Sequence, residues 1–207
     1  MSSDDWFRNI DWNHRVEAAF FEKLRRARRK EQYLRIQAST LASSHPKVAL
    51  RLLEEYFKLD DDFDHAQAYV DRATAYLAIG NPDNAIQAYE DALTREEVFP
   101  NVLTQANLDL PFLIAVRRLD SLFDRALQVL GKSKSRLAFP VEHFKWHASN
   151  ALILSALGDS MGAKRSACEA LTWAATKNSG FRYHRTLGLV GVQYAATESR
   201  LKELCNA

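Results

Sequence analysis

Residues 66–97, AQAYVDRATAYLAIGNPDNAIQAYEDALTREE, leave the chain little freedom in how it folds. Two apolar-striped runs flank Gly80-Asn81-Pro82-Asp83. In the first, Tyr69, Ala73, Tyr76 and Leu77 recur at three- and four-residue intervals; in the second, Ala85, Ile86, Tyr89, Ala92 and Leu93 do the same. That is the period of an amphipathic helix. Gly80 is free to end a helix in the left-handed conformation. Asn81 or Pro82 then starts the next one, with Asp83 in its first turn, where a carboxylate meets unpaired amides. The small residues Ala73, Ala85 and Ala92 sit where two antiparallel helices must approach, and tyrosines fill the space beside them. The stretch predicts a helical hairpin.

The remainder of the chain predicts more helices and no strand. Asp11 or Asn13 caps a first helix that continues to about Leu41, with a bend near Arg28–Lys30, after Trp6, Phe7 and Trp12. Ser43-Ser44-His45-Pro46 ends it, and Val48, Ala49, Leu52, Leu53 and Tyr56 stripe the next. Residues 30–63 thus form a degenerate relative of 66–97, with Ala49 about one repeat period before Ala85 and Tyr56 where a small residue belongs. Pro100 breaks the chain. Val102 to Leu119 is an apolar helix, kinked or bounded near Leu110 by Pro111. Its partner runs from Leu119 to Leu130 and stops at Gly131, before the basic connector GKSKSRLAFP. Residues 144–177 repeat the hairpin pattern around Gly158-Asp159. Tyr183 to Leu204 reads as an amphipathic closing helix.

The 66–97 segment resembles a tetratricopeptide repeat, a helix-turn-helix unit of about 34 residues. Tyr69 takes the early aromatic position, Ala73 the small residue of the first helix and Tyr76 the second aromatic. Ala85 opens the second helix, and Tyr89 and Ala92 are its large and small residues. Arg72 stands where leucine is usual, and Glu97 where a proline often stops the unit. The resemblance implies an all-α fold over residues 1–207 as a single domain: stacked antiparallel hairpins in a short right-handed superhelix. Residues 1–29 would be the N-terminal helical cap and 178–207 the C-terminal one. It also implies a concave surface built from the first helices.

Composition fits that reading. The chain has 207 residues, 47% hydrophobic and 26% charged, with only 5 prolines and 7 glycines. These values suit a folded soluble domain and exclude collagen-like or disordered chains. No apolar run resembles a signal segment or is long enough to cross a membrane. Cys168 and Cys205 are too few for a disulfide framework, which points to a reducing cytoplasm. Cys168, among Ala167, Ala170 and Leu171, reads as a small buried hydrophobe.

The net charge of +2 makes no case for a nucleic-acid surface over the whole molecule. Charge is locally concentrated, however. KLRRARRK at 23–30, with Arg35, supplies Arg25, Arg26, Arg29 and Lys30 to an acidic protein surface or to phosphates, unless pairs such as Glu22–Arg26 make it a solvated face. On the expected groove stand Gln67, Asp71, Arg72, Thr74 and Ala75, extended by Lys30, Gln37 and Asn150. Asp60, Asp61, Asp62 and Asp64 form an acidic turn without the spacing or central glycine of a calcium loop; its last acid would cap the helix that follows. His143 and His147 share a helix face but lack a third ligand. GKSKS lacks the glycine-rich turn of a phosphate loop. No catalytic residue, metal or cofactor is assigned. The expected function is non-enzymatic: a cytoplasmic adaptor, chaperone or inhibitor that binds another protein through shape and charge. An immunity or antitoxin protein is a narrower version. A nucleic-acid-binding subunit using residues 23–30 and a helical enzyme with an unrecognised site are the alternatives.

Overall fold

The structure, a computed structural model, describes residues 5–59 and 64–207. Among these it contains ten α-helices and no strand, and no helix long and apolar enough to cross a membrane. The chain divides into two compact units, Met1–Ala106 and Asn107–Ala207, where the sequence predicts one array.

In the first unit, α1 (His14–Arg26) starts on Asn13, whose side chain accepts hydrogen bonds from the amides of Arg15 and Val16. The predicted continuous helix is interrupted. Ala27 is extended, and α2 (Lys30–Leu41) begins afresh. The cause lies in the sequence: no residue between Leu24 and Leu34 is buried, and five of the six side chains from Arg25 to Lys30 are cationic. A helix there would have no apolar stripe to hold and would stack like charges a turn apart. Trp6, Phe7 and Trp12 pack with Phe20, Phe21 and Tyr33 over this end of the core.

α2 pairs with α3 (Pro46–Phe57), and α4 (His65–Ala78) pairs with α5 (Pro82–Val98). α4 also packs on α3 and α2, so the second hairpin stacks on the first. Leu41, Leu52, Leu53 and Tyr56 are fully enclosed, each worth about 2 kcal/mol of burial. Tyr56 fills its supposed small-residue position edge-on to Phe57 and His65.

The α4–α5 corner forms as predicted. Gly80 has φ +75°. Its amide bonds the Leu77 carbonyl at 3.0 Å, and the Asn81 amide reaches back to Tyr76 at 2.9 Å. This paired closure ends a helix around a left-handed glycine. The Asn81 side chain then accepts from the Asn84 amide and starts α5, with Pro82 in its first turn.

The second unit repeats that corner. α8 (Pro140–Ala156) and α9 (Ser160–Ala174) meet at Gly158, φ +86°. The Gly158 amide bonds Ser155, the Asp159 amide bonds Leu154, and the Asp159 side chain accepts from Gly162. α6 (Ala106–Arg117) begins later than Val102, because Thr104 is drawn back onto Glu96 through both its amide and its hydroxyl. It passes through Pro111 without a boundary at Leu110. α7 (Phe123–Ser133) runs through Gly131, which does not stop it. Leu130 and Ser133 on either side are buried, and that packing outweighs the glycine's weak propensity.

α10 (Ala195–Asn206) packs on α9 and α8 and buries Leu201 completely. The predicted helix from Tyr183 is absent over residues 177–191. Gly180 (φ +86°) and Gly188 (φ +68°) turn the chain there, and Gly188 lies against Phe139, where a Cβ would come within 2.5 Å of the ring. Cys168 and Cys205 form a disulfide joining α9 to α10. Cys168 is therefore half of a cross-link, not a lone apolar side chain, and the cysteine count no longer argues for a reducing compartment.

Candidate protein-binding surface

α2 and α4, the first helices of the two stacked hairpins, are joined by a polar cluster. Arg35 Nε lies 3.1 Å from Asp64 Oδ2, and Arg35 Nη1 lies 3.5 Å from Asp71 Oδ2. Ser39 Oγ and Gln67 Nε2 donate to Asp71 Oδ1 at 3.0 and 3.1 Å. Asp71 is only 5% exposed. Burial raises its pKa above the ordinary carboxylate value, and the contacts with Gln67, Arg35 and Ser39 only partly oppose that rise. Asp64 precedes α4 but makes no side-chain cap; its carboxylate is turned to Arg35. Asp60, Asp61 and Asp62 lie outside the described residues.

A second cluster lies beside it. Arg72 sits over the rings of Phe57 and Tyr76, 5.5 and 5.7 Å from their centroids, and Phe57 stacks on Tyr69 at 4.8 Å. The Arg72 guanidinium is thus accommodated by aromatic neighbours, and all four side chains remain half-buried. Arginine and tyrosine are, with tryptophan, the side chains enriched among those that dominate binding energy at protein interfaces.

Other predicted positions have different surroundings. Arg25, Arg26, Arg29 and Lys30 are exposed around the α1–α2 break, and Arg26 pairs with Glu22 at 3.4 Å. Gln37 has no exposure: it accepts from the Asn9 amide and side chain and donates to the Asn9 carbonyl. It fastens the N-terminal segment to α2, so its place on an open groove is corrected. Asn150 belongs to the second unit and donates to Ser166 Oγ across the α8–α9 hairpin.

In the second unit His143 stacks on Trp173 at 3.9 Å, and His147 meets Trp146 edge-on. Burial lowers the pKa of both. Among the described residues no three His, Cys, Asp or Glu side chains gather as a metal site would require. Within GKSKS, Ser133 is buried and donates to the Leu130 carbonyl, and Lys134 lies over Trp146, while Gly131, Lys132 and Ser135 are exposed. Lys145 forms a half-buried pair with Asp109. Burial alone would lower the lysine's pKa, but Asp109 and Tyr194 outweigh it and the net shift is upward.

Sequence reasoning missed Arg35 as the hub between α2 and α4. The signal was available, since Arg35 and Asp71 stand about one repeat period apart, the spacing that places side chains opposite each other on successive first helices. Comparison with protein families, with curated proteins and with solved structures returns no match.

Proposed function

We propose that the chain is a tetratricopeptide-like scaffold that binds another protein through the α2–α4 face, without transforming a substrate. The observation that carries this reading is the stacking of α4 on α2 and α3, with Arg35, Ser39, Gln67 and Asp71 held in one hydrogen-bonded cluster. A face fixed in this way meets a partner with little ordering cost, which favours recognition by shape and charge. Arg72, Tyr69 and Tyr76 supply large side chains already held by ring contacts. Exposed Arg25, Arg26, Arg29 and Lys30 favour an acidic surface on that partner.

The test is affinity capture from the native host under mild salt, comparing wild type with Ser39→Arg and Arg72→Glu. Ser39 is exposed on the face, so a bulky cation there obstructs docking. A saturable protein partner lost with either variant, at unchanged circular dichroism, supports the proposal. A partner bound equally by both variants, or turnover of a small substrate by a chain that captures no protein, defeats it.

A further inference from the structure

From Ala170 to Thr197 the chain contains no aspartate or glutamate, yet it carries Lys177, Arg182, His184 and Arg185. In place of a helix, residues 179–187 form a loop closed on itself. The Ser179 amide bonds the Arg185 carbonyl at 2.8 Å, and the Ser179 hydroxyl donates to the His184 carbonyl at 2.7 Å. The His184 and Leu187 amides bond Phe181 and His184. These bonds hold the loop's main chain to itself, and every side chain from Phe181 to Leu187 is exposed. The loop is also anchored. Phe181 stacks on Phe139 at 5.3 Å, and the Val141 amide donates to the Gly188 carbonyl at 2.8 Å, so the start of α8 holds it in place.

This scaffold presents an aromatic ring among cations. Tyr183 is 80% exposed, and the Arg182 guanidinium lies 5.2 Å from its centroid. An open depression of about 580 Å³ follows Arg182 to Leu187. Cations with no carboxylate in their own segment suit a polyanion, because nothing within that segment offsets their charge. The ring narrows the choice. A duplex hides the faces of its bases, and an acidic peptide has no regular series of planar groups. Unpaired nucleotides offer a phosphate for each cation and a base face for the tyrosine.

We infer that the 177–188 loop is a binding site for single-stranded nucleic acid, with Arg182 and Arg185 on the phosphates and Tyr183 stacked on a base. The site belongs to the second unit and the α2–α4 face to the first, and the inference stands or falls independently of the proposed protein partner.

The experiment uses the full chain and fluorescence anisotropy with labelled oligo-dT and oligo-rU of about 20 nucleotides, from about 50 to 200 mM salt. Expected is saturable binding to one or both strands, weakened about tenfold by Tyr183→Ala. Arg182→Ala with Arg185→Ala is expected to reduce the steepness of the salt dependence by about 1.4. The two strands distinguish DNA from RNA, and either satisfies the inference. Several outcomes overturn it: no saturable binding; affinity unchanged by Tyr183→Ala; equal affinity for a duplex or for polyglutamate; or loss of binding only when Arg25, Arg26 and Arg29 are changed to glutamate. All substituted side chains are exposed, and a thermal melt confirms that each variant is folded.

Discussion

α4 and α10 occupy equivalent positions in the two units. Each is a helix laid across the hairpin before it: α4 on α2 and α3, α10 on α8 and α9. The joints are made differently. α4 is held to α2 by Arg35, which pairs with Asp64 and Asp71, and by Ser39. α10 is held to α9 by the Cys168–Cys205 bridge and by Leu201 in a shared apolar core. One geometry of stacking is therefore compatible with an ionic clasp or a covalent one. What differs is which solution condition loosens it.

The largest expected effect is on the covalent joint. Closing a loop of 37 residues stabilises a fold by about 4 kcal/mol in the chain-entropy account. Cys205→Ser, or reduction of the wild type, is expected to lower the denaturant midpoint of the second unit by a corresponding amount while the first unit's transition stays in place. Coincident, unchanged transitions with and without reductant would remove the contrast.

Arg35→Met comes next. It leaves Asp71 buried without its cation, at a cost of about 3 kcal/mol. Adding Asp71→Asn should recover part of that loss, and a double-mutant cycle by urea unfolding measures the coupling. Additive single effects would mean that the clasp contributes nothing.

Smaller effects should be alike on both sides. Gly80→Ala and Gly158→Ala each force a Cβ into the left-handed region, costing about 1 kcal/mol in thermal melts. Unequal losses would show that the two corners are not the same device.

The smallest effect is one of sign. Asp71 titrates above 3.8 in the fold, so its contribution is greatest below that value and is lost as pH rises through the raised one. His143 and His147 titrate below 6.5, so theirs is complete above 6.5 and is lost as pH falls through the lowered values. Stability differences between wild type and Asp71→Asn, and between wild type and His143→Gln with His147→Gln, should therefore slope in opposite directions between pH 4 and 7.

The hairpins were legible where local rules agree. GNPD and GD specify their corners through a left-handed glycine followed by a capping side chain, and the flanking alanines fix the close faces. Boundaries decided by tertiary contact were not legible. Gly131 looks like a stop but lies between buried Leu130 and Ser133, and α1 ends where burial lapses, with no breaker residue. Tyr183 to Tyr194 has helical spacing, yet Gly188 is required by Phe139, a residue far away in sequence. Two cysteines carry no pairing information until α10 is placed beside α9. On the candidate surface, Arg72 stood out in the sequence as a cation on an otherwise apolar and aromatic helix stripe. Gln37 was misplaced because periodicity alone does not tell an outward face from one covered by Asn9.

The twin corners also bear on the order of assembly. Each is specified within a few consecutive residues, so α4–α5 and α8–α9 can close before any distant segment arrives. Substitutions at Gly80 or Gly158 should then slow refolding, whereas loosening either clasp should chiefly speed unfolding. A chain built this way would acquire its turns first and its fastenings last.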